Sequence, residues 1–339
     1  MMKLLAKFVH GSHLYKLDTP ESDQDFKGIY MPSLKDMCLG KVKDSVDFST
    51  NKTSKKNSRE DTDYEVYSIQ KFVKLLSKGE MVTFDMLFAP EESVQYYDEF
   101  GAVITSELAE QINHPIYLLR HKYAERFVHS DMKAYLGYCH RQAAKYGIKG
   151  SRLDSLFEVN KVLDSHIVNA SAEERLLYVK NVLPQNEFLK VENDHYELLG
   201  KKHQWTTYLA EFYNRVQSEI ERYGNRAILA QKNEGIDWKA ISHAFRAGYQ
   251  IEGMLRTGKM DVVLRHDIRD YIISVKKGEK DWNEVKHHLE VLMDKAEALA
   301  ESNPLNLRLK PDTHEIENIV FQLIANYHQH NKEFNNVRS

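Results

Sequence analysis

The chain is most constrained near its N-terminus, by the stretch over residues 8–30. A short apolar lead-in is followed by Gly11-Ser12 and, further along, by Asp23 and Asp25 in front of a second apolar run. A flexible glycine before a small hydroxyl residue lets backbone N–H groups approach an anion closely. Two carboxylates separated by one residue on a strand share a face, where they repel each other unless a cation such as Mg²⁺ lies between them. The stretch therefore predicts strand, phosphate-sized turn, loop and strand, with a site for a metal and a triphosphate.

These residues also resemble a known pattern. Gly-Ser followed by a spaced Asp-x-Asp is similar to the nucleotidyltransferases of the DNA polymerase β superfamily. The longer pattern is similar to one branch of it, the predicted nucleotidyltransferases often found beside RNA ligases. Its residues here are Gly11, Ser12, Tyr15, Leu17, Thr19, Pro20, Ser22, Asp23, Asp25, Lys27 and Gly28. Lys16 departs from the pattern, because relatives usually have glycine there.

A third carboxylate is expected from the next strand. Residues 62–67 alternate with a period of two, which places Asp61, Asp63 and Glu65 on one face. Two-metal phosphoryl transfer uses a carboxylate from a neighbouring strand to help hold the catalytic cation. The resemblance favours Asp63, from its distance to the following helix, with Glu65 as the alternative. A solvated acidic edge strand is the other explanation of these acids.

A second group of site residues is expected on a helix within residues 237–258. Lys239, His243 and Arg246 fall on one helical face, and the opposite face is apolar. Relatives have a similar Lys…His-x-x-Arg pattern, so the resemblance implies that these three side chains grip the triphosphate. The alternative is a charged helix face in contact with solvent. Asp85, on an otherwise apolar helix, is interpreted as a capping or buried hydrogen-bonding group rather than as a metal ligand.

The predicted fold class is α+β. The resemblance implies that residues 1–100 form a minimal nucleotidyltransferase α/β core with a mixed sheet. Helical periodicity then predicts a mostly helical domain over 101–333 and a tail over 334–339. Two alternating runs within 188–199 predict a small β-hairpin in the helical domain.

Composition limits the class of protein and its partners. The 339 residues are 42% hydrophobic and 29% charged, as is usual for a soluble globular protein, and no apolar run approaches the about 20 residues of a membrane helix. The net charge of −3 gives no overall basic field, so a nucleic-acid contact would need a local patch, for which Lys145, Lys149 and Arg152 are candidates. Only Cys38 and Cys139 occur, which argues for a reducing compartment and against a disulfide framework. We therefore expect a cytoplasmic protein without membrane contact.

The pattern and the resemblance together predict a metal-dependent nucleotidyltransferase. The resemblance implies transfer of a nucleoside monophosphate from a nucleoside triphosphate to an acceptor hydroxyl, with Mg²⁺ or Mn²⁺. The expected metal ligands are Asp23, Asp25 and either Asp63 or Glu65. RNA is the favoured acceptor, as tRNA or an RNA end, and a protein, a small molecule or an antitoxin-like regulatory role on the same fold are alternatives. The sequence specifies neither the base, nor the acceptor, nor the oligomeric state.

Overall fold

The computed structural model describes residues 2–20, 22–50, 61–132, 135–139, 151–167, 170–181, 190–192, 195–198, 201–231 and 234–337. The chain forms two compact units. Unit 1 comprises Met1–Cys139, Phe245–Ser274 and Leu292–Ser339, and unit 2 comprises His140–Ala244 and Val275–Val291. The boundary near residue 100 stays a prediction.

Unit 1 contains a mixed six-stranded sheet. Its strands are β1 (Lys3–His10), β2 (Gln24–Met31), β3 (Ser45–Asp47), β4 (Thr62–Ser68), β5 (Val94–Tyr97) and β6 (Val103–Ile104). Their order is β3-β4-β2-β1-β5-β6, in which β2 and β4 are parallel and the other neighbours are antiparallel. The predicted mixed sheet is confirmed.

Helices make up most of the remaining described chain. In chain order they are α1 (Gly11–Leu14), α2 (Leu34–Cys38), α3 (Ile69–Leu76), α4 (Met81–Leu87), α5 (Ser106–Gln111), α6 (Pro115–His121), α7 (Ser151–Ile167), α8 (Leu209–Gln231), α9 (Trp238–Thr257), α10 (His266–Lys276), α11 (Trp282–Ser302) and α12 (Thr313–Val337). The last helix extends into the segment 334–339 that the sequence predicted as a tail, because the helical pattern continues through polar residues. Within the described residues, no helix is both long enough and apolar enough to cross a membrane.

The predicted hairpin lies in unit 2 and is part of a slightly larger sheet. Strands β7 (Lys190–Glu192) and β8 (His195–Leu198) pair in antiparallel fashion, as expected. A third strand, β9 (Lys201–Gln204), pairs with β8. The mostly helical region with a small hairpin is confirmed.

The strand register gives the six-stranded sheet two chemically different faces. Asp25 pairs with Asp63 across β2 and β4, and Lys27 pairs with Glu65 two residues further on. Because alternate residues of a strand point to opposite sides, these side chains share one face, here called the acidic face. The residues between them, including Phe26, point to the other side, here called the aromatic face.

Helix α6 packs on the acidic face. Its Arg120 is buried and donates to the hydroxyl of Tyr96, to the carbonyl oxygen of Ala89 and to Glu91 at 2.7 Å. Tyr96 pairs with Ala6, whose side chain is on the same side of β1 as His10. The buried cation therefore fastens α6 to the sheet through several acceptors at once.

His114 caps the start of α6 and is 2% exposed. Its Nδ1 accepts a hydrogen bond from the Ile116 N–H, and its Nε2 lies 3.2 Å from the carbonyl oxygen of Tyr97. The neutral ring can satisfy both neighbours, whereas a protonated Nδ1 could no longer accept. Burial lowers the pKa of His114 to about 4, from an ordinary value of 6.5.

This shift predicts acid-sensitive stability. Below pH 6.5 the unfolded chain binds a proton at His114 that the folded protein does not, so the free energy of unfolding should fall until the pH passes about 4. Protonation of His114 in the unfolded chain should lower the free energy of unfolding by about 3 kcal/mol in total. Urea unfolding over this pH range measures it. The change His114→Asn keeps a capping side chain and should make the dependence shallower by this amount, and an unchanged slope would contradict the assignment.

Candidate metal and nucleotide site

Three carboxylates meet where the parallel strands β2 and β4 begin. Asp25 and Asp63 are register partners, and Asp23 immediately precedes β2. One oxygen from each lies within 4.8 Å of the others, and all three residues are half-buried. Like charges this close repel each other, and carboxylate oxygens are the ligands that Mg²⁺ and Mn²⁺ favour. The donor set therefore fits a divalent cation.

Glu65 lies one step along the same face, in an ion pair. The Lys27 Nζ is 3.1 Å from its Oε2, and the Tyr67 hydroxyl donates to the same oxygen at 2.8 Å. Burial acts most strongly and raises its pKa, but the hydrogen bonds from Tyr67 and Lys27 hold the pKa of Glu65 below its ordinary value. The structure thus brings Asp63 to the other two aspartates and places a neutralising cation beside Glu65.

Gly11 follows β1 directly and lies against one of these carboxylates. Its φ is +62°, in the left-handed region that favours glycine. A Cβ added there would lie 1.7 Å from Oδ2 of Asp25, which is far inside atomic contact. Glycine is therefore required twice, by the backbone angle and by the close carboxylate. The predicted Gly11-Ser12 turn lies immediately beside the aspartates.

This geometry predicts a specific effect of Gly11→Ala. Both Gly11→Ala and the control Gly40→Ala introduce a side chain at a left-handed φ, because Gly40 has a φ of +63° with nothing within 4 Å of its added Cβ. Each should lose about 1 kcal/mol of stability for that reason. Only Gly11→Ala should also displace Asp25, and so abolish Mn²⁺ binding measured by calorimetry. Equal Mn²⁺ affinities in the two variants would contradict the arrangement.

Lys16 has a backbone conformation that glycine adopts more readily. Its φ is +55°, which costs a non-glycine residue about 1–2 kcal/mol. The departure of this chain from the related pattern is therefore accommodated by a strained lysine. The expected glycine at this position has a physical reason in the turn itself.

The remaining motif residues shape the loop between α1 and β2. The Thr19 N–H donates to the Ser22 Oγ at 2.9 Å, and the Ser22 N–H returns a bond to the Thr19 carbonyl oxygen at 2.9 Å. A cavity of about 440 Å³ adjoins this turn. It is lined by His13, Asp18, Thr19, Pro20, Ser22 and Gln24. The two bonds between Thr19 and Ser22 thus close a turn beside this cavity, shortly before Asp23.

Arg246, expected to grip phosphate, lies in a buried network. It is 2% exposed, its Nη1 is 3.6 Å from Oδ2 of the fully buried Asp85, and its guanidinium stacks 3.8 Å from the centre of the Tyr15 ring. The Tyr15 hydroxyl donates to the same Asp85 oxygen at 2.6 Å. The interpretation of Asp85 as a buried hydrogen-bonding group is confirmed.

The network continues along α9. Arg246 donates from Nη1 to Oε1 of Gln250 at 2.7 Å, and the Tyr135 hydroxyl donates to the same oxygen at 2.9 Å. Gln250 in turn donates to the carbonyl oxygen of Val262 at 2.9 Å. We call Arg246, Asp85, Tyr15, Gln250 and Tyr135 the arginine network. Its cation faces protein groups rather than solvent, which differs from the exposed grip expected from the helical pattern.

The other expected phosphate contacts are only partly described. Lys239 is exposed and His243 is half-buried, and both belong to the part of α9 in unit 2. Their role stays a prediction. Lys145 and Lys149 lie outside the described residues, as does the side chain of Arg152.

His10, the last residue of β1, is a further residue of the site that the sequence pattern did not indicate. It is the register partner of Asp25, and its Nδ1 is buried without a hydrogen-bond partner. Burial first, then Lys27 and Arg246, lower the pKa of His10 to about 3, so the ring is neutral near pH 7. Its place directly before Gly11 was visible in the sequence, but its position opposite Asp25 depends on a register that the sequence did not specify.

Comparison with known proteins agrees with this geometry. Residues 1–153 match the family described as the RNA repair pathway DNA polymerase beta family, RlaP. A protein of Enterobacteria phage T4, named as an uncharacterized 38.9 kDa protein in the nrdC-mobD intergenic region, is 38% identical over 316 residues. The match covers 88% of this chain and 89% of the phage protein. No solved structure was found to match the chain.

Proposed function

Because the chain belongs to the RNA repair pathway DNA polymerase beta family, we propose that it is a metal-dependent nucleotidyltransferase acting on RNA, in end modification or repair. The acceptor hydroxyl attacks the α-phosphorus of a nucleoside triphosphate, forms a new P–O bond, and releases pyrophosphate with the hydroxyl proton passing to solvent. The observation that supports this best is the group of Asp23, Asp25 and Asp63 beside Gly11.

The proposed metal ligands are these three aspartates, whereas Glu65 forms an ion pair with Lys27. Mg²⁺ or Mn²⁺ held there would lower the pKa of the acceptor hydroxyl and neutralise charge on the leaving pyrophosphate. The backbone N–H groups of Gly11 and Ser12 would hold the β and γ phosphates. Positioning and charge stabilisation account for most of the acceleration in such reactions, so the chain needs no covalent nucleophile.

The arginine network is proposed to position the turn rather than to bind phosphate. Tyr15 ends α1, which begins at Gly11, so holding the Tyr15 ring fixes one end of the turn. Arg246 and Asp85 hold that ring by stacking and by a hydrogen bond. Lys239 and His243 remain proposed contacts to the triphosphate. The cytoplasm is the proposed location, because the RNA acceptors are found there.

Labelled nucleotides test the proposed acceptor. The protein is incubated with each α-labelled triphosphate, Mg²⁺ or Mn²⁺, and a mixture of cellular RNA and protein. We expect label on RNA, removed by ribonuclease and absent with Asp25→Asn. Label on protein alone would contradict the RNA acceptor and favour a protein nucleotidyltransferase. Absence of label on both RNA and protein would contradict these acceptors and favour a small-molecule acceptor or a regulatory module.

A further inference from the structure

A row of aromatic side chains crosses the sheet on the face opposite the carboxylates. Phe48, which directly follows β3, lies beside Tyr64 of β4, and Tyr64 lies beside Phe26 of β2. The ring centres are 5.7 Å apart in the first pair and 6.3 Å apart in the second. Lys7 of β1 pairs with Gln95 of β5, so both side chains point to this face. Tyr97 lies two residues after Gln95 in β5 and therefore points to the same face. We call the four aromatic residues and Lys7 the aromatic row; its members are Phe48, Tyr64, Phe26, Lys7 and Tyr97.

The aromatic row is open to solvent. Phe48 is 48% exposed, and the other four members are half-buried. Gly28 lies among them, and a Cβ there would be 3.1 Å from the Tyr64 hydroxyl oxygen and 3.0 Å from Val66. The glycine therefore leaves room for the phenol ring of Tyr64 to lie along the sheet. Scattered exposed aromatics are ordinary on a protein surface, but a contiguous apolar patch indicates a binding site.

A cation lies within the row on this face. The Lys7 Nζ lies 3.7 Å from the centre of the Phe26 ring and 5.2 Å from that of Tyr64. Asp36 of α2 lines a cavity at one end of the row, together with Val46 and Phe48. The strand residues that the register places beside the row on this side include no carboxylate. They are Lys7, Val9, Phe26, Gly28, Val46, Tyr64, Val66, Gln95 and Tyr97. The acidic face, by contrast, holds Asp25, Asp63 and Glu65.

We propose that the aromatic row binds the single-stranded RNA acceptor by stacking its bases. Aromatic rings on an open sheet with an interleaved cation are how sheet-based modules bind unpaired bases and their phosphates. A protein segment would need no cation there, whereas an RNA backbone is neutralised by Lys7. Such sequence-tolerant stacking also suits an enzyme that must accept RNA ends of different sequence.

The row is continuous with the proposed reaction site. Phe26 follows Asp25 and Tyr64 follows Asp63 in the same two strands, where both strands begin. An RNA strand that leaves the row can reach the carboxylates over these strand ends. This proposal rests on the proposed function for the identity of the acceptor, but binding to the row requires neither metal nor nucleotide.

Fluorescence anisotropy with a labelled oligouridylate, in EDTA and without nucleotide, tests the row. We expect Phe48→Ala to weaken binding about tenfold, because one stacked base loses its ring. The control Phe321→Ala removes a 70% exposed ring on α12 and should bind as the wild type does. We expect Lys7→Gln to reduce the slope of log affinity against log salt by about one.

The outcomes separate this proposal from the proposed function. Wild-type protein that binds the oligonucleotide through the row but transfers no nucleotide would leave the row supported and overturn the enzyme. A second outcome is that the protein transfers nucleotide to RNA, while Phe48→Ala binds the oligonucleotide as the wild type does and Lys7→Gln keeps the wild-type slope of log affinity against log salt. That outcome would contradict RNA binding by the aromatic row but leave the proposed enzyme supported. Wild-type protein that does not bind the oligonucleotide would also overturn it, and would favour a protein segment as the occupant.

Discussion

Replacing Asp25 by asparagine is expected to lower the rate of nucleotide transfer by at least about 10³-fold, while the protein stays folded. The amide removes one of three converging charges, and with it the negative charge that holds a divalent cation. Because the three carboxylates repel each other without a metal, the melting temperature of the metal-free variant should stay the same or rise. Initial rates with α-labelled triphosphate and thermal unfolding in EDTA measure the two effects.

Glu65→Gln is the matched variant for this prediction. It removes a carboxylate from the same face, but one that is paired with Lys27 and lies outside the three-aspartate group. Its rate should fall far less than that of Asp63→Asn. A larger loss of transfer rate in Glu65→Gln than in Asp63→Asn would make Glu65 the third metal ligand in place of Asp63. Full activity in Asp25→Asn would exclude the metal site.

Arg246→Met is expected to lower the free energy of unfolding by about 3–5 kcal/mol. The variant leaves the Asp85 carboxylate fully buried with only the Tyr15 hydroxyl as a partner. Burial already raises the pKa of Asp85, and loss of the neighbouring cation would raise it further. Urea unfolding at pH 7 measures the change in the free energy of unfolding.

Lys239→Met is the control on the same helix, because Lys239 is exposed and its replacement should leave stability within about 0.5 kcal/mol. The double variant Arg246→Met with Asp85→Asn should be less destabilised than the sum of the single changes, because no unpaired charge stays buried. A stability of Arg246→Met equal to the wild type, with triphosphate affinity lost, would contradict the positioning role. That result would instead favour the direct phosphate grip that the resemblance implies.

The strand–turn–strand region could be predicted because the position of each of its residues depends on neighbours in the sequence. Gly11 is fixed by its backbone angle, and Asp25 and Asp63 by alternation along strands. The choice between Asp63 and Glu65 could not be made from alternation, because both lie on the same face. It depends on the pairing of Lys27 with Glu65, which is a matter of register between strands far apart in sequence.

The environment of Arg246 was hidden for a different reason. Helical periodicity shows which residues share a face, but not which other elements cover that face. For Arg246 the sequence therefore left two interpretations, a grip on the triphosphate and a charged helix face in contact with solvent. In the structure Arg246 stacks on Tyr15 and lies 3.6 Å from Asp85, and Gln250 accepts hydrogen bonds from Arg246 and Tyr135.

The composition of the two units was also beyond the sequence. Helical periodicity shows that the residues after 101 are mostly helical, but not which compact unit each helix joins. Phe245–Ser274 and Leu292–Ser339 belong to the same compact unit as the sheet. The chain therefore returns to that unit twice after leaving it, and only long-range packing decides such returns.

Comparing the transfer of label to RNA from α-labelled and from γ-labelled triphosphate tests whether the three aspartates catalyse nucleotidyl transfer. Each labelled nucleotide is incubated with wild-type protein, Mg²⁺ and RNA, with Asp25→Asn in parallel. The account predicts that RNA acquires the α label and not the γ label, and that the γ label appears in pyrophosphate, in the wild type only. Transfer of the γ label to RNA, or transfer of the α label that persists in Asp25→Asn, would contradict a nucleotidyltransferase centred on the three aspartates.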